Sequence, residues 1–171
     1  MKTLQTHIPG FPVVAIVAFA MVFWSITPVD PVQAAGDPIV VIVNNANPVD
    51  NLSLGELKKL FLGDRSRWDT GKAVAPVMLG PGAPERTSFL KIVCGMNDAD
   101  LGKYFLQAAF TGKSATPPKE VGSAAAVKSF VAGSPGGIGF VKASDLSAGD
   151  TTVKAVKIDT AASDPGYKIK M

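Results

Sequence analysis

The sequence predicts an α/β domain with a mixed, mostly parallel sheet flanked by helices. Three observations carry this. Ile39-Val40-Val41-Ile42-Val43 is an unbroken β-branched run, the pattern of a strand covered on both faces. Further strand-like stretches stand at 74–79, 138–141 and 153–158. Between them lie stretches with apolar residues at helical spacing, several opened by a capping residue, so strands and helices interleave.

Taken in order, the first strand ends at Asn44-Asn45-Ala46-Asn47-Pro48, a polar turn cluster. Ser53-Leu54-Gly55-Glu56 is a capping box, and Leu54, Leu57, Leu60 and Phe61 follow as a core-facing stripe that Gly63 ends. Asp64 to Gly71 is a charged loop around Trp68, which is expected to pack beneath it. Val74 to Leu79 is the second strand. Pro84 suits the first helical position, and Phe89, Ile92, Val93 and Met96 give that helix a buried face. Asn97-Asp98 caps the next helix, whose inner face is Leu101, Tyr104, Phe105 and Ala108. A proline-containing loop leads to a further helix outlined by Val121, Ala124, Val127 and Val131, with Ser123 inside it or just before it. Gly133 to Gly137 breaks the chain. Ile138 to Val141 is a strand in which Gly139 marks a close approach of neighbouring backbone, and Val153 to Ile158 is the last clear strand.

Residues 1–34 read as a secretory signal, with residues 35–171 as one domain. Lys2 gives a positive start, Phe11 to Ile26 is a mostly apolar run, and Val32-Gln33-Ala34 offers small residues for cleavage. The expected location is periplasmic or secreted; the alternative is membrane anchoring by residues 11–26. Without this segment the net charge stays at +3, and the only histidine, His7, is gone. The remainder holds one cysteine, Cys94, on the apolar side of a helix. Ser-His-Asp and Cys-His catalysis, Cys/His zinc sites and an internal disulfide are all excluded. Neither a metal nor a cofactor is expected. The lysines are scattered and not interleaved with aromatics, so no nucleic acid is expected either.

One stretch points to a ligand. Gly80-Pro81-Gly82-Ala83-Pro84-Glu85-Arg86-Thr87-Ser88-Phe89 reads as a glycine-rich turn running into a helix. Free amides and the macrodipole at a helix start favour an anion, and Arg86 adds a fork of donors. Gly82, Ala83, Arg86, Thr87 and Ser88 are therefore the candidate donors for an oxyanion, although Glu85 sets a like charge beside them. Asn44 and Asn45 join as a second choice, since open α/β sheets bind ligands at the carboxyl ends of their strands. They serve equally well as turn-formers. Gly112-Lys113-Ser114 lacks the leading glycine of a phosphate loop, and Ser88-x-x-Lys91 lacks the companion motifs of serine–lysine enzymes. No enzyme is expected.

Leu57 through Trp68 is similar to the "IFLG…W" segment of the phosphate-binding components of ABC importers. Ser134-Pro135-Gly136-Gly137-Ile138-Gly139-Phe140-Val141 resembles their "T-P-G-x-I-G-Y-V" strand entry, and Arg86-Thr87-Ser88-Phe89 falls where that family places an anion-binding turn. The resemblance covers roughly residues 38–143. It implies a single lobe of a type 2 periplasmic-binding-protein-like fold. It also implies binding of inorganic phosphate or a related oxyanion, weakly or with a partner. That partner would be an ABC importer membrane component or another envelope protein. The alternative is an interaction or structural module that keeps the fold in an envelope complex without the ligand.

Overall fold

The computed structural model describes residues 37–113, 115–147, 149–160, 164–166 and 168–169. The expected signal segment and its cleavage point lie outside these residues. The elements in order are β1 (Ile39–Asn44), β2 (Asn51–Ser53), α1 (Leu54–Phe61), β3 (Ala75–Leu79), α2 (Pro84–Phe89), α3 (Asp98–Phe110), β4 (Lys119–Val121), α4 (Ala124–Gly133), β5 (Gly137–Lys142), β6 (Val153–Ala155), β7 (Lys157–Thr160), β8 (Asp164–Gly166) and β9 (Lys168–Ile169).

Local sequence accounts for the helix boundaries. Ser53 and Glu56 form the expected capping box: the Glu56 amide donates to Ser53 Oγ at 3.2 Å, and the Ser53 amide donates to Glu56 Oε2 at 2.9 Å. Asn97 caps α3 and Ser123 caps α4. α2 runs directly into a π-helical turn, Leu90–Cys94, which Gly95 ends in the left-handed region at φ 71°.

The larger sheet has the order β4-β3-β5-β1-β6, with β9 also on β1. β3 is parallel to β4 and β5, whereas β1 is antiparallel to β5, β6 and β9. Among the described strands of this sheet, β1 alone runs against the rest. β2, β7 and β8 make a smaller sheet. Val156 stands between β6 and β7, so the run read as one strand serves both sheets. Val121 belongs to β4, and α4 begins after Ser123.

Alternation along the fully buried β1 divides the core in two. Ile39, Val41 and Val43 share one cluster with Leu57, Phe61, Phe89, Leu101 and Phe140. Val40 and Ile42 share the other with Val77, Val127, Val131 and Val141. Phe89 stacks on Phe140 with centroids 4.0 Å apart, and Phe61 closes on Phe89 at 4.7 Å. A Cβ on Gly139 would come within 2.7 Å of Val127 and 2.9 Å of Val77, so what approaches there is side chains, not backbone. The close backbone approach is at Gly136, where a Cβ would lie 1.8 Å from the Ala73 carbonyl oxygen. Trp68 is buried beneath its loop as expected, and its Nε1 donates to Gly136 O at 3.0 Å.

Candidate functional site

The turn after β3 lies at the sheet edge that also holds the last residue of β5, Lys142, and the first of β1, Ile39. The Gly80 amide donates to Val121 O at 2.9 Å, which ties the turn to β4. Gly82 takes φ +89°, a conformation that glycine adopts freely. α2 then starts at Ala83 with no side-chain cap, and Pro84 brings no N–H.

The helix start is not left to an outside anion. Glu85 is buried, and Lys142 Nζ lies 2.8 Å from its carboxylate. Burial pushes the Glu85 pKa up. The Lys142 hydrogen bond and the residue's own backbone N–H outweigh that and hold it below the ordinary value. Lys142 is raised in turn, chiefly by its hydrogen bond to Glu85. The negative charge that sequence reasoning placed beside an incoming anion is thus neutralised, and it occupies a helix-start amide itself.

Arg86 is 3% exposed. Its Nε donates to Asp98 Oδ1 at 2.5 Å, and its Nη1 donates to Leu79 O at 2.8 Å and Glu120 Oε1 at 2.7 Å. The second terminal nitrogen, Nη2, takes no hydrogen bond among the described residues. Arg86, Asp98 and Glu120 line a crevice of about 180 Å³ whose walls are Met78, Leu101, Phe105, Pro117 and Pro118. The guanidinium therefore reaches a crevice, but two carboxylates already balance it and leave a local excess of one negative charge. Arg86, expected as the main charge partner of the oxyanion, is thus ion-paired within the chain.

The other candidates are dispersed. Thr87 is exposed, and its hydroxyl donates to Ala83 O at 3.3 Å. It lines a separate, more open depression with Lys91, Met96 and Asn97, which shares Asp98 with the crevice. Ser88 is half-buried on α2. The Ala83 amide points back to Gly80 O, at 3.4 Å. Asn44 and Asn45 lie at the opposite edge of the sheet, because β1 runs against β3 and β5 and its carboxyl end is therefore the far end. Asn44 Nδ2 donates to Val131 O and Ala132 O at 3.0 and 2.8 Å, and its Oδ1 accepts from the Ala46 amide at 2.9 Å. It fastens the end of α4, so the turn-forming reading is the one its contacts fit.

Asp98, Glu120 and Lys142 were missed from sequence. Asp98 reads as a helix-start residue and Glu120 as part of a loop. They meet Arg86 only through the tertiary fold, 12 and 34 residues away. No cluster of three or more His, Cys, Asp or Glu able to hold a metal occurs among the described residues. No described helix is long and apolar enough to cross a membrane.

No protein-family profile matches the chain. Solved structures do. An ABC-type phosphate transport receptor from Vibrio cholerae matches 77% of this chain and 49% of its own, at 21% identity and TM-score 0.58. A Clostridium perfringens protein assigned as a phosphate ABC transporter substrate-binding protein, solved with bound phosphate, matches 72% of this chain and 46% of its own. Its identity is 25% and its TM-score 0.58. PstS from Borrelia burgdorferi matches 74% of this chain and 49% of its own, at 12% identity and TM-score 0.57. The chain thus spans about half the length of the structures it matches. Over that span its fold is similar to the fold of phosphate-transport receptors, a periplasmic-binding-protein-like α/β lobe.

Proposed function

We propose that the chain is an exported, non-enzymatic solute-binding domain. It takes hydrogen phosphate, or another oxyanion that carries a proton, weakly in the Arg86 crevice, in connection with phosphate import by an ABC transporter. The observation that carries this is the grouping of Arg86 with Asp98 and Glu120 around one crevice. A ligand that fits there needs acceptors for the guanidinium arm and a donor for a carboxylate. Phosphate near neutral pH has both, and sulfate has no donor. Export rests on the leader at 1–34, and residues 11–26 as an anchor are the alternative.

Magnitudes favour weak binding. Micromolar affinity needs about 8 kcal/mol. Charge-assisted hydrogen bonds give about 1.5–3 each, and two or three of them in an open crevice fall short. The excess negative charge subtracts further. A partner that closes the crevice would add affinity by excluding water.

The second reading is an interaction module without a ligand. The internal pairing of Glu85 with Lys142 and the double neutralisation of Arg86 favour it. Calorimetric titration separates the two. Binding predicts saturable heat with phosphate at about 1–10 mM, none with sulfate, and loss of the phosphate signal in Asp98→Asn. No response to either anion leaves the interaction module, and an equal response to both overturns the requirement for a proton on the ligand.

A further inference from the structure

The Arg86 crevice has one polar corner. Among the described residues, the polar side chains that line it are Arg86, Asp98 and Glu120, and the guanidinium binds both carboxylates. The rest of the lining offers no donor. Met78 and Leu101 are buried, and Phe105 packs against their cluster. Pro117 and Pro118 carry no amide hydrogen. The amides of Leu101, Gly102 and Phe105 lie inside α3 and serve its own hydrogen bonds. A tetrahedral oxyanion held at the polar corner therefore turns an oxygen toward hydrocarbon, where it gains nothing. Gly102 stands on the wall of the same crevice, inside a helix that glycine weakens. Its φ lies outside the left-handed range, and a Cβ there would meet no atom within 4 Å. The absent side chain leaves an opening beside Leu101 and Phe105.

We propose that the crevice prefers a phosphonate bearing a short organic group to inorganic phosphate, and that Gly102 is the residue that admits this group. The inference rests on the reading of the crevice as an oxyanion site and names its ligand class. A phosphonate monoanion matches the lining at all four positions around phosphorus. Two oxygens accept from the guanidinium, and the P–OH donates to Asp98 or Glu120. The fourth position is carbon, which replaces the oxygen that would face hydrocarbon. A short chain on that carbon buries apolar surface against Leu101, Phe105 and Pro117. A phosphate ester has a similar shape but gives up its second proton at about pH 6. It would bring a second negative charge and no donor to a corner where two carboxylates already face one guanidinium. A phosphonate, with carbon directly on phosphorus, holds that proton to higher pH. The organic group is short because the crevice, at about 180 Å³, is small. Pockets for drug-sized ligands begin at roughly 300 Å³.

Three calorimetric titrations of the purified chain near neutral pH test this, with inorganic phosphate, propylphosphonate and propyl phosphate. Propylphosphonate should bind at least about tenfold tighter than phosphate, and propyl phosphate no tighter than phosphate. Gly102→Leu meets open space and favours the helix, so its melting temperature should be no lower. In that variant the ratio of phosphonate to phosphate affinity should fall toward one. Phosphate binding with propylphosphonate no tighter overturns the inference and leaves the crevice as an oxyanion site. So does propyl phosphate binding as tightly as propylphosphonate, or a folded Gly102→Leu that keeps the preference. No heat from any of the three compounds overturns both the inference and the reading it rests on.

Discussion

Arg86 Nε and Asp98 Oδ1 meet at 2.5 Å, and this contact joins α2 to the start of α3. With Glu120 on β4, the same guanidinium ties the edge strand to both helices. Arg86 is buried, whereas both carboxylates reach water. Arg86→Ala strands the carboxylates and opens a void. Breaking a fully buried pair costs about 3–5 kcal/mol, and solvent at Asp98 and Glu120 brings the expected loss to about 2–4 kcal/mol. Glu120→Gln should cost under about 1 kcal/mol, since its neutral oxygen still accepts. Urea unfolding of the two variants checks the difference.

Acid should weaken the fold through Glu85. Its folded pKa is held below the ordinary 4.5, so the stability it adds is present above that value and fades as pH falls through the lowered one. Glu56 and Asp64 shift the same way, Glu56 chiefly through the Ser53 amide and Asp64 chiefly through Lys113. At the alkaline end Lys142 is raised, so its contribution is complete below its ordinary 10.5 and disappears as pH climbs through the raised value. Melting temperature against pH should fall at both ends, and Glu85→Gln should flatten part of each limb.

Gly102→Ala should stabilise the isolated chain by about 0.5–1 kcal/mol, since the new methyl meets open space. Gly136→Ala should do the opposite and cost more than about 3 kcal/mol, because the Ala73 carbonyl fills the site and the Trp68 hydrogen bond depends on it. Thermal denaturation of the two variants should move in opposite directions.

The Cys94 thiol should resist reagents in the native state. Burial pushes its pKa up to about 11, only slightly offset by Lys58, so little thiolate exists at pH 8. A disulfide-exchange reagent should label it at the rate of unfolding, and fast native labelling would show the thiol to be reachable.

Much of the fold was legible because it is written locally. The Ser53–Glu56 box, the Asn97 cap and the β-branched run of β1 announce their elements without help from distant residues, whereas the start of α4 at Ser123 stayed open between two positions. The direction of β1 was not legible. A run buried on both faces reads alike in either orientation, and only pairing with β5 shows that Asn44 ends at the far edge. The short edge strand β4 has one half-buried residue, Val121, too little to announce a strand. The surroundings of the candidate site were not legible for the same reason. Local spacing picked out Arg86 as a cation near a crevice, but its charge is set by Asp98 and Glu120, and the helix start by Lys142, which only tertiary structure brings in.

The most direct test follows the Arg86 side-chain N–H resonances while phosphate, and separately sulfate, is added to the purified chain. The account predicts that the Arg86 signals and the Leu101 and Phe105 amides shift together and saturate at about 1–10 mM phosphate, with no matching shift for sulfate. Unmoved Arg86 signals across that range, or shifts centred on Asn44 and Asn45 at the opposite sheet edge, would contradict it.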